Sequence, residues 1–214
     1  MLAHEYSHAT MAWIFGYKKS PFDILYGSWY LMPVSENVDY QAIFASSTPW
    51  HGGLIGIAGI GMTVILFFLT LFFLGRQWVK SRCFATIFFF WLGAINVMEM
   101  FTYVPNRVFI EGDITEFYRG FDISPFWIFI PGSVLVLWAL YRFYRKEIHK
   151  LYALFRSKSY GIKRFLLYLT FWPLAITFIY WVMPKQHVML SFLTNIVSIL
   201  IVIYLAILAD PTKE

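Results

Sequence analysis

Five long apolar runs, Gly52 to Gly75, Cys83 to Val104, Pro125 to Tyr144, Phe165 to Met183 and Val188 to Ala209, constrain this chain more than any other feature. Each approaches the roughly 20 residues that a helix needs to cross a bilayer. Backbone groups inside lipid must be satisfied within the segment, so runs of this kind fold as helices. Leu2 to Gly16 is a sixth, shorter run. At 1.5 Å per residue it covers about 22 Å against a hydrocarbon core of about 30 Å. The expected fold is therefore an all-α integral membrane protein of about six transmembrane helices. It reads as one polytopic domain over residues 1–214, with a core at 1–124 and three further spans at 125–214.

The shortness of the first run is expected to reflect residues upstream of Met1. No cleavable signal peptide is expected ahead of His4, which leaves insertion to the spans. Between the first two spans, Tyr17 to Trp50 alternates aromatic and polar residues, punctuated by Pro21, Gly27, Pro33 and Pro49. The stretch Ile24 to Leu31 reads as a short interfacial strand or hairpin, either a loop anchored by Trp and Tyr or an edge that could pair with an extended substrate.

The net charge of +5 does not point to nucleic acid. The basic residues lie in short stretches between apolar runs, which suits anionic headgroups and topology signals. Arg76, Lys80 and Arg82 follow the second span; Arg142, Arg145, Lys146, Lys150, Arg156, Lys158, Lys163 and Arg164, against a single Glu147, follow the fourth. The positive-inside rule makes these stretches cytoplasmic and puts Tyr17 to Trp50 and Asn106 to Ser124 outside. The expected location is the inner (plasma) membrane of a bacterium. The stretch from Arg142 to Arg164 is expected to lie along the membrane as an amphipathic basic segment. The lone Cys83 says little about redox compartment.

Within the short first run the chain reads His4-Glu5-Tyr6-Ser7-His8. On a helix, His-Glu-x-x-His sets two imidazoles one turn apart on one face, where both can bind zinc, and leaves the glutamate beside the metal-bound water. Burying two His and a Glu in an apolar helix is costly without a partner, and a metal supplies one. The alternative is a pair of capping or interhelical histidines. A catalytic zinc takes three protein ligands and keeps a fourth position open. Asp113, just beyond the third span on the side to which Gly16 is delivered, is the first candidate for the third ligand. Glu99, the sole charge within the third span, is the rival, as a ligand or as a neutral group holding helices together. Glu111 and His51 are further options, though His51 beside Gly52 reads as a capping residue; His149 and His187 read as surface histidines. Pro131, Gly132 and Pro173 read as kinks at a cavity or as packing.

These residues resemble the site-2 protease family of intramembrane zinc metalloproteases, over about the first 125 residues. The likeness rests on His4-Glu5-Tyr6-Ser7-His8 followed by Ala9 and closed by Gly16, on the glycine-rich run Gly52 to Gly61, and on Asn96, Pro105, Asn106 and Gly112-Asp113. The family's Asp-Gly is reversed here to Gly-Asp, and the charge count turns the end of the zinc helix outward where well-known members turn it inward. The resemblance implies one zinc ion on His4, His8 and Asp113, Glu5 as general base, Asn96 or Asn106 as a substrate-binding asparagine, and a membrane protein as substrate. A non-catalytic membrane protein with a structural metal, and a zinc hydrolase of lipids or small amides, are the other readings.

Overall fold

The computed structural model describes residues 2–27, 34–109, 111–154, 160–181 and 188–210, the side chains of 105, 106, 171–181, 188–195 and 198 excepted. Its elements are helices in the order α1 (Leu2–Ile14), α2 (Tyr40–Phe44), α3 (Pro49–Gly75), α4 (Gln77–Lys80), α5 (Cys83–Arg107), α6 (Asp113–Phe121), α7 (Phe126–Arg142), a π-helical turn (Phe143–Glu147), α8 (Ile148–Leu154), α9 (Tyr160–Trp181) and α10 (Val188–Leu208). Among the described residues three helices are long and apolar enough to cross a membrane: Pro49–Gly75, Cys83–Val104 and Phe126–Leu154. The chain is thus a helical membrane protein. Three of the six expected spans are thus present; α1 has only 13 residues, and the last two expected spans fall largely on side chains outside the described set.

The expected strand or hairpin is corrected. Residues 28–31 of it lie outside the described residues; the rest contributes one antiparallel bridge, Leu25 to Ser35, and no strand among the described residues. Positive φ at Gly27 (66°) and Asn37 (53°) bends the backbone away from extended geometry on either side of that bridge. The loop is instead held by side chains. Ile24 and Val34 pack on Ala9 of α1, and the buried Lys18 ammonium donates to the carbonyls of Asp23, Glu36 and Asn37.

By contact the chain divides into two compact units. The first, 1–65 with 107–131, contains α1, α2, the start of α3 and all of α6. Its second apolar cluster joins Ala12, Ile43 and Ile55, with Met11, Phe15, Val38 and Tyr40 against it. Helix α1 stops because Gly16 takes φ +81°, which lets Gly16 N–H reach the Trp13 carbonyl (2.9 Å) and Tyr17 N–H the Ala12 carbonyl (2.9 Å). That pair of bonds is a Schellman closure, and a glycine is the residue that adopts it without strain. Pro49 opens α3 at the position where its missing N–H is harmless.

The second unit, 66–106 with 132–214, is built on aromatic packing: Phe67, Phe90, Phe143 and Tyr144 are fully buried. Gly93 makes this possible, since a Cβ there would meet Phe143 and Thr70 at 2.8 Å. Of the Arg142–Arg164 stretch, residues 142–154 continue the helix from Phe126 through the π turn to Leu154, and residues 155–159 lie outside the described residues. Glu147, fully buried, accepts from both Arg142 and Lys150, and Lys150 Nζ also donates to the Leu74 carbonyl at the end of α3 (3.0 Å).

Candidate metal centre

All of this centre lies in the first unit. Helical spacing puts His4 and His8 one above the other on α1. Their rings meet edge to face, with centroids 4.7 Å apart. Both are almost fully buried, at 2% and 1% exposure, and Glu5 beside them is buried as well. Three histidine-motif residues on one buried stripe of a 13-residue helix is the arrangement that the pentapeptide spacing anticipates.

Asp113 arrives from 109 residues after His4, as the first residue of α6. Gly112 before it has φ +154°, a conformation that a side chain would strain, so Gly112 aims the carboxylate. His4 Nε2 lies 2.8 Å and His8 Nε2 3.3 Å from the same oxygen, Asp113 Oδ2. Among the described residues, His4, His8 and Asp113 form the group able to hold a metal ion, with one ligand atom from each lying within 4.8 Å of the others.

The hydrogen bonding at His8 makes the fit specific. Its Nδ1–H donates to the Ile55 carbonyl (2.6 Å), so in the neutral ring Nε2 carries the lone pair. That buried Nε2 has no hydrogen-bond partner, yet it faces a carboxylate oxygen. Two acceptors that close are stabilised by a cation between them. A tetrahedral ion with bonds of about 2.0–2.1 Å separates neighbouring donor atoms by about 3.3 Å, the His8 to Asp113 spacing found here. His4 must move outward by roughly half an ångström to match. A ring nitrogen held by a carbonyl on its far side is the usual outer support of a metal-bound imidazole.

Asp113 is electrostatically matched to this role. Burial alone pushes its carboxyl up, but the neighbouring His4 and His8 rings overcome that and hold it well below the usual carboxylate range. It is therefore ionised at neutral pH, as a ligand must be.

Two contributions were not readable as site residues in the sequence. The Ile55 carbonyl is one; Gly59 is the other. A Cβ on Gly59 would collide with His8 Nε2 and with His4 Nε2, so α3 and α1 approach closely only because that residue has no side chain. Gly56, one turn earlier, does the same for α6: a Cβ there would meet the Asp113 carbonyl at 2.6 Å and the Glu116 Cβ at 2.7 Å. The spacing Gly53, Gly56, Gly59 along one helical face was the available signal.

Among the described residues, none of the other candidates belongs to this group. Glu99 and Asn96 belong to α5 in the second unit, and the Asn96 amide donates to the Leu92 carbonyl of its own helix (2.7 Å). The side chain of Asn106 lies outside the described residues. Glu111 is exposed. His51 stacks on Phe15 (4.1 Å) with its Nδ1 2.9 Å from the Tyr17 hydroxyl. His149 is half-buried against Tyr152, and His187 lies outside the described residues. Compared with protein-family models, curated proteins and solved structures, the chain matches none.

Proposed function

We propose that this protein is a membrane-embedded zinc endopeptidase that hydrolyses peptide bonds of membrane proteins. The observation that carries the reading is the convergence of His4, His8 and Asp113 on one point beside the buried Glu5. Two imidazoles and a carboxylate are the donor set of catalytic zinc sites, with a fourth position left for water or substrate. Bound there, zinc would polarise water and a peptide carbonyl and lower the water pKa toward about 7.

The chain's own residues supply the remaining steps. His8, oriented by the Ile55 carbonyl, and Asp113, aimed by Gly112, fix the geometry. Glu5 accepts the proton of the attacking water and passes it to the leaving amine. A binding-only site has no need of such a base. Helical peptide bonds are shielded by their own hydrogen bonds, so a membrane substrate must unwind locally to be cut. By the positive-inside rule the basic stretches are cytoplasmic in this reading, and Tyr17 to Trp50 and Asn106 to Ser124 are extracytoplasmic.

Zinc content and cleavage of a model membrane peptide, measured side by side for the wild type, Glu5→Gln and Asp113→Asn, test the proposal. Glu5→Gln is expected to keep zinc and lose cleavage; Asp113→Asn is expected to lose both. A wild type purified without zinc and unable to take it up overturns the proposal. Cleavage retained in Glu5→Gln removes the assigned base.

A further inference from the structure

A second feature, independent of the metal centre, sits at one end of the second unit. The Lys150 ammonium donates to the Leu74 carbonyl (3.0 Å), so the C-terminal end of α3 and the α7 to α8 turn stand side by side. The Thr86 hydroxyl donates to the Val79 carbonyl (2.7 Å), which ties the α3 to α5 link to the first turn of α5. The C-terminal end of α3, the start of α5 and the helix carrying the second basic stretch are therefore tied together.

Among the described residues, Glu147 is paired with Arg142 and Lys150, and Asp210 lies 3.6 Å from Arg164. Arg76, Lys80, Arg82, Arg145 and Lys146 remain exposed, with no carboxylate partner among the described residues. Three of them stand over aromatic rings of the same segments. Arg76 lies 3.9 Å from the Phe72 centroid, Arg82 5.9 Å from Trp78 and Arg145 5.5 Å from Tyr141. Arg145 also donates to the Tyr141 hydroxyl (2.7 Å). Phe72, Trp78 and Tyr141 are themselves exposed at 51%, 46% and 41%, so cations and apolar surface are presented together.

A free anion satisfies the cations and leaves the aromatics in water; a neutral lipid does the reverse. An anionic phospholipid satisfies both, with its phosphate among the guanidinium and ammonium groups and its chains along the aromatic flank. We infer that Arg76, Lys80, Arg82, Arg145 and Lys146 form a binding surface for anionic phospholipid headgroups, phosphatidylglycerol being the simplest.

The test is the full chain in phosphatidylcholine vesicles carrying a trace of spin-labelled phosphatidylglycerol or spin-labelled phosphatidylcholine, read as the protein-immobilised fraction of each. The wild type should prefer phosphatidylglycerol severalfold at low salt, with the preference collapsing at high salt. Each cation removed should lower it by up to about fivefold. The combined change Lys80→Gln, Arg145→Gln and Lys146→Gln should bring the two lipids near equality, whereas Lys80→Arg, Arg145→Lys and Lys146→Arg should retain the preference. Equal immobilisation in the wild type overturns the inference, as does a full preference in the glutamine variant. Loss of preference on adding inorganic phosphate, beyond that caused by chloride at matched ionic strength, also overturns it by marking a soluble-phosphate site.

Discussion

His8 turns its lone-pair nitrogen toward Asp113 Oδ2 at 3.3 Å while its other nitrogen is fixed on the Ile55 carbonyl at 2.6 Å. The ring cannot rotate away without losing a buried hydrogen bond, so without a metal ion the two acceptors repel unless His8 takes up a proton, and the metal is the stronger bridge. Chelation of the proposed zinc should therefore destabilise the protein. A ligand present at about 100 times its Kd contributes about 2.7 kcal/mol. For a chain of this size that corresponds to a fall in Tm of at least about 5 °C on adding a chelator, restored by zinc. In His8→Leu the response should vanish; a chelator-induced shift that survives there removes His8 from the ligand set.

Gly59→Ala places a methyl where His4 and His8 now lie. The clash is with rigid rings whose positions are set by α1 packing, so either the rings or the helices move. Overpacking of this kind costs about 1–3 kcal/mol. The expected outcome is zinc affinity lowered by an order of magnitude or more, as for lost outer support of a metal site, measured by competition with a chromogenic chelator. Gly61→Ala, on the same helix with open space at its Cβ, should bind as the wild type does.

The parts of this protein that were legible in the sequence are those governed by local periodicity. His4, Glu5 and His8 share a buried face because three- and four-residue spacing on a helix requires it, and Gly16 ends α1 because few other residues accept its φ. Asp113 was legible from its place just beyond an apolar run, although nothing local orients it. Gly59 and the Ile55 carbonyl were hidden because their roles depend on how closely α3 meets α1, a long-range property. The pairing inside the basic stretch after Tyr141 was hidden for a different reason. Arg142 reaches Glu147 across five residues, a pairing that ordinary α-helical spacing does not bring together and that the π turn does.

That pairing yields a prediction of its own. Glu147 is fully buried, and its two cationic partners are each 28% exposed. Removing the acid leaves two cations facing a buried gap, a loss of about 3–5 kcal/mol for a wholly buried pair and nearer the lower figure here because both cations can reach water. Glu147→Gln should therefore lower the unfolding midpoint of the detergent-solubilised protein markedly. Lys150→Met, which keeps the Arg142 to Glu147 pair and loses the Leu74 carbonyl contact, should lower it less. The reverse order would show that the Lys150 contact to α3, and not the buried acid, holds this end of the helix.

Lys18 acts similarly on the loop beside α1. Its side chain is 3% exposed and its ammonium is shared among the Asp23, Glu36 and Asn37 carbonyls. Lys18→Met keeps the aliphatic stem and removes the donor these three carbonyls share, at about 1–3 kcal/mol for each that cannot reach water. The cost falls on the loop, because the spanning helices carry their own backbone hydrogen bonds. Limited proteolysis should thus cut Lys18→Met between residues 19 and 38 at least tenfold faster than the wild type, with the spans still protected. Since Ile24 and Val34 of this loop pack on Ala9, next to His8, peptide cleavage should fall as well. Unchanged proteolysis would mean that the apolar contacts with α1 suffice to hold the loop, and that the buried ammonium is dispensable.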